Sequence, residues 1–377
     1  ISRAKELNCT PGDLTKKYSA EFDKDMALIN VQKPTIEPKA TEYISEMQDF
    51  IQKLIDKGIA YNVEGDVFFR VKQYAQYGEL SNQVLDDLVS GARVEADARK
   101  EDPIDFALWK KVKDESELHW NSPWGKGRPG WHTECCVMIN KIVGTTLDIH
   151  AGGNDLIFPH HENERAQAES LNKQPFVNYW MHNGFVKVDS EKMSKSLGNF
   201  TTIKNLAQEY DSNTIRLFIL TNHYRMPVDF RLEALNSAKK GIKKIEKALL
   251  ESKKIFIANE MDTQKTNAFA DKIIQKILSL ELDPPTVKEE FAHLAEDFCS
   301  DILCSSSPWA RSEFSSTIWR LQQFVTSMDH DFNTSKAIAI LFDFASNILK
   351  KKTSYDTSKN PDIEILDLMC LEAILLE

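Results

Sequence analysis

The sequence predicts an α/β protein whose last part is all helix. Three observations predict it. Strand and helix patterns alternate up to about residue 190. A glycine pair, Gly152-Gly153, links one of the strands to the helix that follows. From about residue 202 the pattern is helical almost throughout.

Residues 11–28 and 39–58 carry apolar residues at helical spacing, with Pro34 and Pro38 between them and Gly58 ending the second helix. A hairpin follows: a strand at Ile59–Val63, a Glu64-Gly65 turn and a strand at Asp66–Val71. Residues 88–104 are charged and irregular, and Asp105–Trp109 returns as a strand. Two prolines and three glycines in Asn121–Gly130 read as a loop leading into a helix over Trp131–Val143. Next come a strand over Thr146–His150 and a helix with Pro159 as its first residue, where proline fits well. A strand over Tyr179–Val188 precedes a polar loop at 189–200.

At 377 residues the chain is long enough for two or three domains with cores of their own. No apolar run approaches the roughly 20 residues that span a bilayer, and the ends show no signal-peptide or lipidation pattern. The six cysteines form no CxxC pair, which favours a reduced, cytoplasmic setting. A formal net charge of -10 argues against a broad, nonspecific nucleic-acid binder, but not against an RNA held by local basic patches. The opening Ile1–Leu7 reads as the inside of a helix without a start signal, so a longer parent chain is expected.

Six of the nine histidines fall between His119 and His182. His160 and Glu164 are four residues apart on one predicted helix and can face one point. Cys135 lies on the preceding helix. Thiolate, imidazole and carboxylate together suit one tetrahedral zinc site. The ordinary alternative is a solvated His–Glu helix face and a packed cysteine.

Gly153-Asn154-Asp155 followed by His160 fits a nucleotide-site pattern, in which glycine lets backbone approach a ligand and Asp155 accepts from ribose hydroxyls. Its ordinary alternative is a glycine turn with Asp155 near a helix start. Lys192-Met193-Ser194-Lys195-Ser196 is KMSKS in full. Two ammonium groups and two hydroxyls on one loop can meet the charge that builds on departing pyrophosphate. This pentapeptide arises by chance in roughly one chain in ten thousand of this length.

In order, the motifs are Gly130-Trp131-His132-Thr133-Glu134-Cys135, then Asp148–Leu156, then Phe158-Pro159-His160-His161-Glu162-Asn163-Glu164, then KMSKS. The series resembles the cysteinyl-tRNA synthetases, and the resemblance runs from Arg3-Ala4 through Gly91–Val94 to Met328–Thr334. It is weakest over about 250–320. It implies a class I synthetase fold: the second half of a Rossmann-type parallel sheet with a connective insertion, then an all-α helical bundle. The implied divisions are the end of the first Rossmann half at 1–35, the insertion at 36–118, and the second half with its zinc site at 119–190. A KMSKS and stem-contact region at 191–235 and a tRNA-contacting bundle at 236–377 complete them.

The resemblance also implies roles. Cys135, His160 and Glu164 match three of the family's four zinc ligands. The fourth ligand and the HIGH signature are expected upstream of Ile1, and the anticodon-binding end downstream of Glu377. Trp131 matches a substrate-pocket tryptophan, and Lys195 the ATP-contacting lysine. Lys192 and Lys195 are the implied catalytic residues, and Lys195, Ser194, Gly153 and Asp155 the ATP or adenylate contacts. The implied reaction takes ATP, with Mg, and L-cysteine to cysteinyl-adenylate, and then transfers cysteine to tRNA(Cys) on a cytoplasmic monomer. The zinc selects the substrate thiol.

Lys240, Lys243, Lys244, Lys247 and Lys254 recur at helical spacing as one stripe, with Ile242, Ile245 and Leu249 able to face a core. The stripe reads as a phosphate track for tRNA or, more simply, as the solvated face of an amphipathic helix. Two further readings compete for the whole chain. One is the related ligase that transfers cysteine to glucosaminyl-inositol in the mycothiol pathway. The other is a zinc-stabilised binding module without catalysis.

Overall fold

The structure, a computed structural model, describes residues 2–84, 97–114, 117–188, 191–193, 200–258 and 308–352. The chain divides into two compact units, residues 1–23 with 32–185 and residues 24–31 with 186–377. As the sequence predicts, the fold is α/β with a parallel pair of strands and a helical C-terminal region.

In the first unit a helical turn, Ser2–Glu6, is followed by α1 (Pro11–Leu28), whose last residues belong to the second unit. Helix α2 (Ile44–Asp56) forms because Met47, Phe50, Ile51 and Leu54 recur at helical spacing, and all four are buried. Strands β1 (Ala60–Val63) and β2 (Asp66–Phe69) make the expected hairpin. Its turn residues Glu64 and Gly65 both have positive φ, 54° and 99°, the geometry that matches strand twist. A Cβ on Gly65 would stand 2.9 Å from the Trp124 carbonyl oxygen, a second reason for glycine there.

Strands β3 (Phe106–Lys111) and β4 (Gly127–Pro129) complete an antiparallel sheet in the order β1-β2-β3-β4. The segment read as a loop, Asn121–Gly130, therefore ends in a short strand. Three residues, two of them Gly and Pro, are too few to show alternation. The sheet leads directly into α3 (Trp131–Ile142).

Strand β5 (Leu147–Gly153), helix α4 (Glu162–Asn172) and strand β6 (Val177–Asn183) form a βαβ unit, with β5 and β6 parallel. The regular helix starts later than expected. Phe158 is extended (φ -134°, ψ 131°), Ile157–His161 make a wide helical turn, and Pro159 lies in it ahead of α4. One core joins both parts of this unit. Phe69 and Trp109 of the antiparallel sheet, Cys136 and Val137 of α3, Ala166 of α4 and Phe176 before β6 belong to a single buried cluster.

The strand expected over Tyr179–Val188 is two strands, β6 and β7 (Val186–Val188), divided at Gly184-Phe185. In the second unit β7 pairs antiparallel with β8 (Glu191–Lys192) and parallel with β9 (Val228–Phe230). Strand β9 interrupts the stretch read as all helix. The described helices here are α5 (Ile203–Leu206), α6 (Ser212–Leu220), α7 (Leu232–Ala258), α8 (Pro308–Asp329) and α9 (Thr334–Lys352). Asp211 caps α6 by accepting from the Thr214 amide at 2.8 Å. No helix among the described residues is long and apolar enough to cross a membrane.

Candidate metal centre

Three elements bring the centre together: α3 carries Cys135, the wide turn carries His160, and α4 carries Glu164. Neighbouring cysteines on α3 face different ways. Cys136 is fully buried in the core, while Cys135 is half-buried and faces the cluster. The two helices are held in register by a buried bond from the Thr133 hydroxyl to Gln167 Oε1 at 2.8 Å. The Tyr77 hydroxyl donates to Asn163 Oδ1 at 2.5 Å, and Ser81 donates from backbone and side chain to Glu162 Oε2, so the start of α4 is clamped.

The ligand atoms of Cys135, His160 and Glu164 all lie within 4.8 Å of one another. His160 Nε2 approaches Glu164 Oε1 to 2.6 Å, yet without the alignment of a hydrogen bond, and the buried Oε1 has no hydrogen-bond donor. Glu164 is fully buried. Burial pushes its carboxyl up, but the histidines His150 and His160 outweigh that and hold it at about 2. Burial, then the charge of Glu164, pushes the Cys135 thiol up to about 12. A buried carboxylate beside a thiol, with one oxygen lacking a donor, is a donor set that a soft-to-borderline dication completes. The residues fit zinc.

His160 Nδ1 lies 2.9 Å from His132 Nδ1. Burial lowers the His132 pKa to about 4, which leaves that ring neutral near pH 7. With a metal bound, His160 would keep its Nδ1 proton for His132 and turn the Nε2 lone pair to the metal, as a metal ligand must. Trp131, 56% exposed, stacks on His160 with ring centroids 4.2 Å apart. Its other surroundings form a groove of about 380 Å³ with Trp120, Arg128 and Glu134.

His150, His161 and Glu164 form a second set of ligand atoms within 4.8 Å of one another. The sequence shows these histidines as a dense group but does not show which of them touches the ligands. That information is in the β5 register, which sets His150 opposite Trp180. His119 is outside the cluster and approaches the Glu117 carbonyl at 2.7 Å.

Of the residues expected to contact nucleotide, Gly153 ends β5 and Asp155 is exposed on the 3-10 turn Asn154–Leu156. The adjacent Gly152 has an internal use as well, because a Cβ there would come within 2.8 Å of the His161 ring. Lys192 ends β8, and the Met193 amide donates to the Val186 carbonyl at 3.0 Å. Ser194, Lys195 and Ser196 lie outside the described residues. On α7, Lys240, Lys243 and Lys247 are exposed. Lys244 leaves the stripe: its Nζ donates to Ser346 Oγ of α9 at 2.5 Å and lies 5.8 Å from the Phe342 ring centroid. Ile245 is buried as expected, Ile242 and Leu249 only partly, and the side chain of Lys254 lies outside the described residues.

The architecture is that of the class I aminoacyl-tRNA synthetases. A crystal structure assigned as an arginyl-tRNA synthetase from Campylobacter jejuni superposes with a TM-score of 0.54 at 13% identity, over 93% of this chain and 63% of that one. Residues 1–240 match the family of tRNA synthetases class I (C) catalytic domains, and the chain belongs to that family. Residues 323–369 match a DALR domain. The chain is similar to a cysteine–tRNA ligase of Staphylococcus epidermidis, 42% identical over 92% of this chain and 64% of the relative. It is also similar to one of Geobacter, 53% identical over 66% of this chain and 52% of the relative. The chain thus spans less than two thirds of these relatives' length.

Proposed function

We infer that this chain is the larger part of an ATP-dependent enzyme that joins L-cysteine to tRNA(Cys) through cysteinyl-adenylate. The observation that carries the reading is the convergence of Cys135, His160 and a buried Glu164 whose Oε1 has no donor. It occurs inside a chain of the class I (C) family.

When bound, zinc supplies a ligand site for the substrate thiol as thiolate, which a serine hydroxyl fills poorly. A purely apolar pocket separates near-isosteres by only ~10–200-fold, so a metal-based choice adds selectivity that packing does not. The rest is positioning. Trp131 walls the centre and keeps water from His160. Gly153 and Asp155 stand where β5 ends, the usual place for a nucleotide on a parallel sheet. Lys192, Ser194 and Lys195 meet the charge of ATP, which arrives with Mg, as pyrophosphate leaves. Lys240, Lys243 and Lys247 offer tRNA phosphates an exposed track, while Lys244 is tethered to α9. The enzyme acts in the cytoplasm as a monomer.

The test is ATP–pyrophosphate exchange by the full-length, zinc-loaded protein with cysteine, serine or no amino acid. Cysteine-dependent exchange and charging of tRNA(Cys) are expected. Transfer to glucosaminyl-inositol instead of tRNA would move the protein to the mycothiol ligases. No exchange with any amino acid would leave a binding module.

A further inference from the structure

We propose that His150 is a positioning residue for Glu164, and that the His150–His161 pair supports the Cys135–His160–Glu164 centre and does not form a second metal site. The inference rests on the reading of that centre given above. Glu164 is the one residue that both ligand sets share. Its two oxygens have different surroundings. Oε2 accepts a hydrogen bond from His150 Nε2 at 2.8 Å, whereas Oε1 faces His160 without a donor. A carboxylate pinned at one oxygen loses its free rotation, so Oε1 is left pointing at Cys135 and His160.

The pin is itself held. The His150 ring packs against His161, with centroids 4.5 Å apart, and edge-on to Trp180 at 5.0 Å. Only 15% of its side chain is exposed. His161 is fixed in turn, since its Nδ1 lies 2.8 Å from His182 Nε2 and its ring fills the space that Gly152 leaves open. The second set therefore has a ligand nitrogen already bonded to the shared carboxylate, and no thiol. The first set has the soft ligand and the carboxylate oxygen without a donor. Partners of this kind fix the orientation and basicity of a ligand, and their loss typically costs 10–100-fold in metal affinity.

The experiment uses the full-length protein and two metals as probes: zinc, in competition with a chelator of known affinity, and cobalt(II), read by its thiolate charge-transfer band. His150→Leu removes the donor and keeps the bulk. Its zinc affinity is expected to fall by about 10–100-fold, with one metal per chain and the cobalt–thiolate band retained. His150→Gln, whose amide can donate to Oε2, should recover most of the loss. Recovery also separates positioning from a fold defect, which glutamine would share. His161→Ala should leave one metal per chain. Wild-type zinc affinity in His150→Leu would overturn the proposal, as would two metals in the wild type that fall to one in His161→Ala. Cys135→Ala separates a failure of the metal centre from a failure of the His150 role. If the variant keeps its zinc, the reading of the centre itself has failed. If it loses zinc while His150→Leu keeps wild-type affinity, only the role of His150 has failed. Should His150→Leu not fold, a His150→Gln protein with affinity as weak as Cys135→Ala would refute the role.

Discussion

The cluster around Glu164 and the lysine face of α7 handle charge in opposite ways. Glu164 is fully buried, and its charge is tolerated because His150 and His160 lie against it. Lys240, Lys243 and Lys247 remain in water and need no partner inside the protein. The difference teaches where sequence spacing is enough. A surface stripe needs only helical periodicity, whereas a buried centre needs tertiary contacts that hold each ligand atom. Lys244 makes the point within a single helix, because the approach of α9 turns one member of the stripe into a tether.

The comparison is sharpened first by a lysine expected to act on reaction charge and not as a static contact. Lys195→Ala should lower cysteine-dependent pyrophosphate exchange by about 3–4 kcal/mol in kcat, with little change in KM for cysteine. Near-normal exchange would remove the role assigned to the KMSKS segment.

The buried side of the comparison is broken by Glu164→Gln. A neutral amide keeps the shape but not the charge, so zinc affinity measured by chelator competition should fall by more than about 100-fold, beyond the loss of a supporting partner. A variant that binds zinc normally would make Glu164 a bystander.

The exposed side is tested by Lys240, Lys243 and Lys247 exchanged together for Gln. Each lost phosphate contact should reduce the salt slope of tRNA binding by roughly 0.7–0.9, with pyrophosphate exchange unchanged. Lys244→Gln should do the reverse: lower Tm through the lost contact with Ser346, and leave the salt slope as it was. A slope that responds to Lys244 alone would contradict the division of the stripe.

How much of this was legible follows the same line. The His160–Glu164 spacing was readable because residues four apart share a helical face, and the two still converge although a wide turn precedes α4. Cys135 was readable as a cysteine on the preceding helix. The bond from His150 was not, because it depends on where β5 meets α4 across 14 residues of sequence. Strand β9 was missed because three residues between Pro227 and Arg231 are too short to show period two. The Gly184-Phe185 break looked continuous because β6 and β7 are both rich in strand-forming residues.

The smallest effect concerns Asp331, in the turn between α8 and α9. Hydrogen bonds from Arg225 and Tyr224 hold its carboxyl at about 2, below its ordinary 3.8. A depressed pKa contributes stability above the unfolded value and loses it as pH falls through the folded one. Asp331→Asn should therefore destabilise slightly at pH 7, by less than about 1 kcal/mol because the pair is partly exposed, and the gap to wild type should close between about pH 4 and 2. Tm against pH checks it.

The proposed zinc, held by Cys135, His160 and Glu164, takes the substrate thiol. X-ray absorption at the zinc edge of the full-length protein, with and without L-cysteine, tests it most directly. One zinc per chain is expected, with mixed sulfur and nitrogen or oxygen ligands, and one more sulfur on adding cysteine but none on adding serine. A zinc environment that cysteine leaves unchanged would contradict it.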